Sequence, residues 1–156
     1  MKRLEAIAQI LSRHEGAAVV LCNGLNSRET AFKLGADNHL YLLHAMGEAL
    51  AVGVGLRMAR PDLEVVVIDG DANALMGASA HAFLPVEGLH YYVLDNGCSE
   101  TTGGQALPGL PEIAFGRVVK VDPGKIESPN PPPPKAILAT FKEWVRRRES
   151  TNKKGV

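Results

Sequence analysis

Two short stretches of this chain carry donor atoms suited to a hard cation and a diphosphate. The first is Ile68-Asp69-Gly70-Asp71-Ala72-Asn73-Ala74-Leu75-Met76, and the second is Tyr91-Tyr92-Val93-Leu94-Asp95-Asn96-Gly97, with Asn96 standing 25 residues after Asp71. One carboxylate and one amide oxygen suit Mg²⁺. That ion demands octahedral oxygen coordination and is usually held by one or two protein groups, with phosphate oxygens and water completing the shell. Gly70, next to the carboxylate, lets a diphosphate approach the backbone closely. Asp-Gly-Asp alone is a common turn. A second strand-end Asn-Gly at this separation makes a shared ion the stronger account.

For those oxygens to meet, each must leave the end of a neighbouring strand. Residues 64–68 are apolar and β-branched after Glu64, as in a buried parallel strand, and such a strand delivers Gly70 and Asp71 to the carboxyl edge of a sheet, where open α/β sheets bind ligands. Residues 90–94 form a second such run, and Asp95-Asn96-Gly97 is the turn leaving it. A helix over 74–83 joins them as a right-handed β-α-β crossover.

Upstream, Leu4, Ile7, Ala8 and Leu11 mark an amphipathic helix ending near Gly16, and residues 17–22 predict a buried strand that includes Cys22. Asn26 or Ser27 is placed to cap a helix reaching about Lys33, with Glu29 in its first turn. The apolar patch 40–43 precedes a Gly/Ala-rich helix over 47–59, stopped by Pro61. Gly53 and Gly55 weaken that helix, so they predict close packing against the sheet or another chain. Beyond Gln105, the pattern predicts a helical turn within 107–115, a strand over 117–121, an extended proline spacer over 129–134 and a final helix over 136–148. Arg146, Arg147, Arg148, Lys153 and Lys154 make a solvated basic helix end.

Composition sets the class. At 156 residues and 46% hydrophobic content the chain can bury the core of a single domain, 1–156. With 17 basic and 17 acidic residues, bulk charge argues against nucleic acid or a membrane surface and for a small molecule or protein partner. No signal precedes the first helix, and the longest apolar helical stretch, 45–58, is interrupted by Glu48 and Arg57, so a cytoplasmic location is expected. Cys22 and Cys98 are too few and too far apart for a zinc motif. His81 and His90 have no partner at ligand spacing and are expected as ordinary helix and strand residues.

Taken together, these blocks resemble the diphosphate-binding domain of thiamine-diphosphate enzymes, whose signature is Gly-Asp-Gly followed about 25 to 30 residues later by Asn. Ala72 stands where that signature has its second glycine. Within the superfamily the chain is similar to sulfopyruvate and phosphonopyruvate decarboxylases through Ser27-Arg28-Glu29, His44-Ala45-Met46-Gly47, residues 69–76, and Asp95-Asn96-Gly97-Cys98-Ser99-Glu100-Thr101-Thr102-Gly103-Gly104-Gln105. Compared with that family, a helix, strand and helix are missing after Gln105.

The resemblance implies an α/β fold of PP type, a three-layer open parallel sheet with helices on both faces. It implies thiamine diphosphate and Mg²⁺ as cofactors, with Asp71, Asn96 and the backbone carbonyl of Cys98 on the metal. Gly70, Ala72 and Asn73 would then surround the diphosphate, while Met46 and Gly47 lie under the cofactor rings. His44, where the family has glycine, and Glu100 fall at catalytic positions; Ser27, Arg28 and Gln105 fall where substrate binds, with Thr101 near them. The function implied is that of a β subunit in a 2-oxo acid decarboxylase acting on 3-sulfopyruvate or 3-phosphonopyruvate. Its activating glutamate would come from the pyrimidine-binding domain of an α subunit, in a hetero-oligomer or a homo-oligomer. Two alternatives remain open: an acetolactate-synthase-like carboligase subunit, or a non-catalytic regulatory or assembly homologue.

Overall fold

A computed structural model describes residues 1–113 and 115–152. Its frame is a five-stranded parallel sheet built from Ala18–Leu21 (β1), His39–Tyr41 (β2), Val65–Gly70 (β3), Leu89–Asp95 (β4) and Gly116–Lys120 (β7), in the order β2-β1-β3-β4-β7. Between β4 and β7 lies a two-stranded antiparallel ribbon of Cys98–Ser99 (β5) and Gln105–Ala106 (β6). The strands alternate cleanly. Val65 and Val67 face one layer while Val66 and Ile68 face the other, and all four are fully buried.

Helices cover both faces, as expected. Arg3–Arg13 (α1) and Leu25–Lys33 (α2) lie on the side of Val66 and Ile68; Ala49–Ala59 (α3) and Asp71–Met76 (α4) lie on the side of Val65 and Val67. Pro134–Asn152 (α5) packs against β2, placing Phe141 in one layer and Ile137 in the other, so one sheet edge is covered. Pro134 opens that helix, where a missing N–H costs nothing, so it starts two residues earlier than the sequence suggests. Lys153 and Lys154 lie outside the described residues. No described helix is long and apolar enough to cross a membrane.

Four local expectations change. The N-cap of α2 is Gly24, at φ +86°, and not Asn26 or Ser27, which lie inside the first turn with their side chains turned back onto β1. The helix expected over 74–83 breaks: α4 ends at Met76, and a 3₁₀ turn, Ala78–Phe83, follows. The break falls at Gly77, whose backbone abuts the loop before α3 so tightly that an added Cβ would sit 2.1 Å from the Gly47 carbonyl oxygen. No helical turn forms among the described residues of 107–115; Ala114 lies outside them. Gly53 meets the packing expectation, since a Cβ there would lie 2.2 Å from Val67 Cγ2, whereas Gly55 faces open space.

Strand β2 carries a titrating group in its core. His39 is 5% exposed, with Nδ1 3.0 Å from Tyr41 Oη, and burial lowers its pKa to about 4. Because the unfolded side chain titrates near 6.5, the unfolded state binds more protons between those values. Stability is therefore complete above about pH 6.5 and lost as pH falls through about 4, by on the order of 3 kcal/mol. Urea melts across that window should show the loss in the native chain and a flattened acid limb in His39→Gln; an unchanged slope would place the proton uptake elsewhere.

Candidate functional site

The register Asp69↔Val93 and Gly70↔Leu94 brings the ends of β3 and β4 side by side. Asp71 therefore emerges against the turn that leaves β4. Its Oδ2 accepts the N–H groups of Asn96 at 3.0 Å and Gly97 at 2.9 Å, and its Oδ1 accepts Ala72 N–H at 2.8 Å. A carboxylate offers about four lone-pair positions, so three donors leave room for one more ligand. Asp71 is buried, and burial holds its carboxyl above the usual range although the three amides pull it down. A cation beside it would favour the charged form.

Asn96 is oriented by its neighbours. Its Nδ2 donates to Glu100 Oε2 at 2.9 Å, which turns Oδ1 the other way, where it accepts Cys98 N–H at 3.1 Å and, more weakly, the Cys98 thiol at 3.6 Å. The two donor groups picked out in the sequence thus meet at one edge of the sheet. With Cys98, Met46 and Glu100 they border a cleft of about 70 Å³. That volume holds an ion and a few oxygen ligands, so a larger molecule seated here must extend outward.

Asn23 also lines this cleft, and its Oδ1 is buried without a hydrogen-bond partner. An orphaned acceptor is costly unless a donor or cation completes it. This residue is absent from the expected site. A signal for it does exist in the sequence, because Asn23-Gly24 follows β1 as Asn96-Gly97 follows β4.

Glu100 belongs to a second feature invisible in the sequence. Arg3, on α1, is 6% exposed and donates from Nη1 to Glu29 Oε1 at 2.9 Å and to the Gly124 carbonyl at 2.8 Å, while its Nη2 pairs with Glu100 Oε2. The other oxygen of Glu100 accepts Gly124 N–H at 2.6 Å. Glu100 is thus clamped at both oxygens and positions Asn96. Glu29, expected at a helix start, is instead a buried acceptor for Arg3 and for Ile126 N–H at 3.1 Å.

The loop before α3 is docked onto α4. Gly47 N–H donates to Asn73 Oδ1 at 2.9 Å, and at φ +80° an added Cβ would lie 3.0 Å from backbone atoms of Met76 and Gly77. His44 is exposed, outside the cleft, at φ +57°, a left-handed conformation costing a non-glycine residue about 1 kcal/mol or more. Histidine there keeps the backbone shape that glycine would take freely. Ala72 carries no such strain, for residue 72 is simply helical in α4.

Other residues singled out in the sequence are engaged elsewhere. Ser27 is fully buried and donates its hydroxyl to the carbonyls of Leu21 and Cys22, anchoring α2 to β1. Arg28 donates to the Ser128 carbonyl at 2.7 Å, beside Lys125 in a separate depression. Gln105 is exposed and donates back to the Thr102 carbonyl of its own ribbon. Below the cleft, burial pushes Asp69 up to about 6, and its oxygens accept Gly70 N–H and the Tyr91 hydroxyl. That acid supports the sheet end and does not face a ligand.

Residues 27–153 match the family described as thiamine pyrophosphate enzyme, C-terminal TPP binding domain. The chain is 38% identical over 120 residues to a phosphonopyruvate decarboxylase of Streptomyces hygroscopicus, covering 72% of this chain and 30% of that protein. It is 36% identical over 108 residues to the sulfopyruvate decarboxylase subunit beta of Methanothermobacter thermautotrophicus, covering 67% of this chain and 58% of that one. A 2-oxoacid:ferredoxin oxidoreductase 2, subunit beta, of Aeropyrum pernix is 36% identical over 110 residues, 68% of this chain and 34% of its own length. The chain therefore spans from under a third to under two thirds of these relatives. Both strand ends and the Asp71–Asn96 pair fall inside the matched span, and the chain belongs to the thiamine pyrophosphate enzyme family as its C-terminal TPP-binding domain.

Proposed function

We propose that this chain is the diphosphate-binding part of a thiamine-diphosphate-dependent decarboxylase acting on 3-sulfopyruvate or 3-phosphonopyruvate, in a hetero-oligomer with an α chain that supplies the pyrimidine-binding domain. One observation carries the reading: Asp71 and Asn96, from adjacent strand ends, meet in one cleft, hydrogen-bonded to each other. Those hard oxygen donors fit Mg²⁺. Asp71, Asn96 Oδ1 and the Cys98 carbonyl would hold the ion, and Gly70, Ala72 and Asn73 would flank the diphosphate. Bound thiamine diphosphate supplies the electron sink that lets carbon dioxide leave a 2-oxo acid.

The protein's part is position. Glu100 keeps the Asn96 amide turned, and Met46, 41% exposed at the cleft, offers an apolar support to whatever extends outward. Ser27 donates to the Cys22 carbonyl, Arg28 Nη2 to that of Ser128 and Gln105 Nε2 to that of Thr102, and none of the three lines the cleft, so substrate recognition is assigned to the facing α chain.

The test is co-expression with a candidate α chain and measurement of carbon dioxide and aldehyde from both acids, with Mg²⁺ and thiamine diphosphate. Stoichiometric aldehyde from one acid, requiring both chains, is the expected result. Carbon dioxide that appears only with an added electron acceptor would move the chain to the oxidoreductase group of its relatives. A two-substrate condensation product would favour the carboligase, and no turnover despite cofactor binding the non-catalytic homologue.

A further inference from the structure

At the opposite edge of the sheet three metal-ligating side chains converge from three elements. Glu64 immediately precedes β3, His90 is the second residue of β4, and His14 caps the C-terminus of α1. Side-chain alternation puts Glu64 on the same face as Val66 and Ile68, and His90 on that of Tyr92 and Leu94, which is the face covered by α1. His14 Nδ1 lies 2.6 Å and His90 Nε2 3.1 Å from the same carboxylate oxygen, Glu64 Oε1, and the three ligand atoms all fall within 4.8 Å of one another. The two imidazole rings are 4.3 Å apart. His90, expected to lack partners, has two that short sequence spacing could not reveal.

We infer that His14, Glu64 and His90 form a second metal site, for a divalent first-row transition ion such as Zn²⁺, separate from the diphosphate cleft. The two imidazoles are borderline donors that favour such ions over Mg²⁺, the carboxylate adds charge, and three protein ligands leave a position for water. Tetrahedral Zn²⁺ with bonds near 2.0–2.1 Å holds its ligand atoms about 3.3 Å apart. The two distances to Glu64 reach that by shifts of under about an ångström and the two nitrogens by about 1.5 Å at most, and Glu64, at 44% side-chain exposure, is free to give way.

A further contact fixes the ligating nitrogen. His14 Nε2 lies 2.9 Å from Tyr92 Oη, so with Nε2–H donated there, Nδ1 is the atom left for a metal. Tyr92 is held in turn by Arg117, which donates to the phenol oxygen at 3.1 Å. Metal-binding histidines characteristically have their second nitrogen engaged in this way. The seven residues from Glu64 to Asp71 place the two sites roughly 20 Å apart along β3, so they load independently. A bound ion would tie the end of α1 to the starts of β3 and β4.

The experiment is titration of the tag-free chain with Zn²⁺ in excess Mg²⁺ by calorimetry, followed by Co²⁺ and visible absorption. One equivalent of Zn²⁺ per chain is expected, with a raised melting temperature and a Co²⁺ spectrum of low-coordinate nitrogen and oxygen ligation. His14→Ala and His90→Ala should each weaken binding by more than about 100-fold, and Tyr92→Phe, which removes only the hydroxyl, by about 10-fold. His81→Ala, outside the cluster, should leave affinity unchanged, and circular dichroism of each variant checks the fold. Absence of stoichiometric binding, affinity indifferent to His14 and His90 in folded variants, or a thiolate charge-transfer band from Cys98 or Cys22 would each overturn the site.

Discussion

Asp71→Ala is expected to abolish Mg²⁺-dependent binding of thiamine diphosphate, a loss of more than about 100-fold where changes around a metal ligand cost 10–100-fold. Asp71 is in no ion pair among the described residues, whereas Glu100 at the same cleft is paired with Arg3, and Mg²⁺ relies on so few protein ligands that losing the charged one cannot be absorbed. Alanine also strands two backbone donors, Ala72 and Asn96, while Gly97 N–H keeps Asp95 Oδ1. Asp71→Asn separates the two effects. It preserves shape and an acceptor oxygen for the turn but removes the charge, so it should melt near the native chain and still fail to bind. Calorimetry on the chain alone and with a candidate α chain provides the measurement. Unchanged affinity in either variant would remove Asp71 from the site and with it the proposed function.

The parts of this site legible in the sequence are those set by strand chemistry. A β-branched run ending in Gly-Asp and a second ending in Asp-Asn-Gly can be aligned from residue types alone, because parallel strands buried on both faces leave only their ends for polar residues. Asp71 and Asn96 meet for that reason. Ser27 is misplaced by a cap rule that ranks serine above glycine, whereas the chain leaves β1 through a left-handed bend that Gly24 adopts most easily. Periodicity likewise predicts one helix where Gly77, pressed on Gly47, allows two pieces. Clusters drawn from distant segments lie out of reach. His14, Glu64 and His90 are spread over 76 residues, and Arg3 meets Glu100 across 97, distances at which no local pattern operates.

Arg3→Ala should be the most destabilising single change near the site, by about 3–5 kcal/mol, because it leaves the carboxylates of Glu29 and Glu100 without their cation. Glu29 is 2% exposed and keeps only the Ile126 N–H, so most of the cost falls there. In a chain of this length the melting temperature should fall by on the order of 10 °C. The triple change Arg3→Met, Glu29→Gln, Glu100→Gln removes all three charges together and should recover much of the loss, since a missing partner costs more than a missing pair. The link to function is Glu100. Without Arg3 its carboxylate is held only by Gly124 N–H and Asn96 Nδ2, so the Asn96 amide is free to turn its oxygen out of the cleft. Mg²⁺ affinity should therefore drop in Arg3→Ala even at temperatures where the chain is fully folded, and stay low in the triple variant despite its regained stability. A triple variant that recovers both stability and affinity would show that Arg3 supports the fold alone.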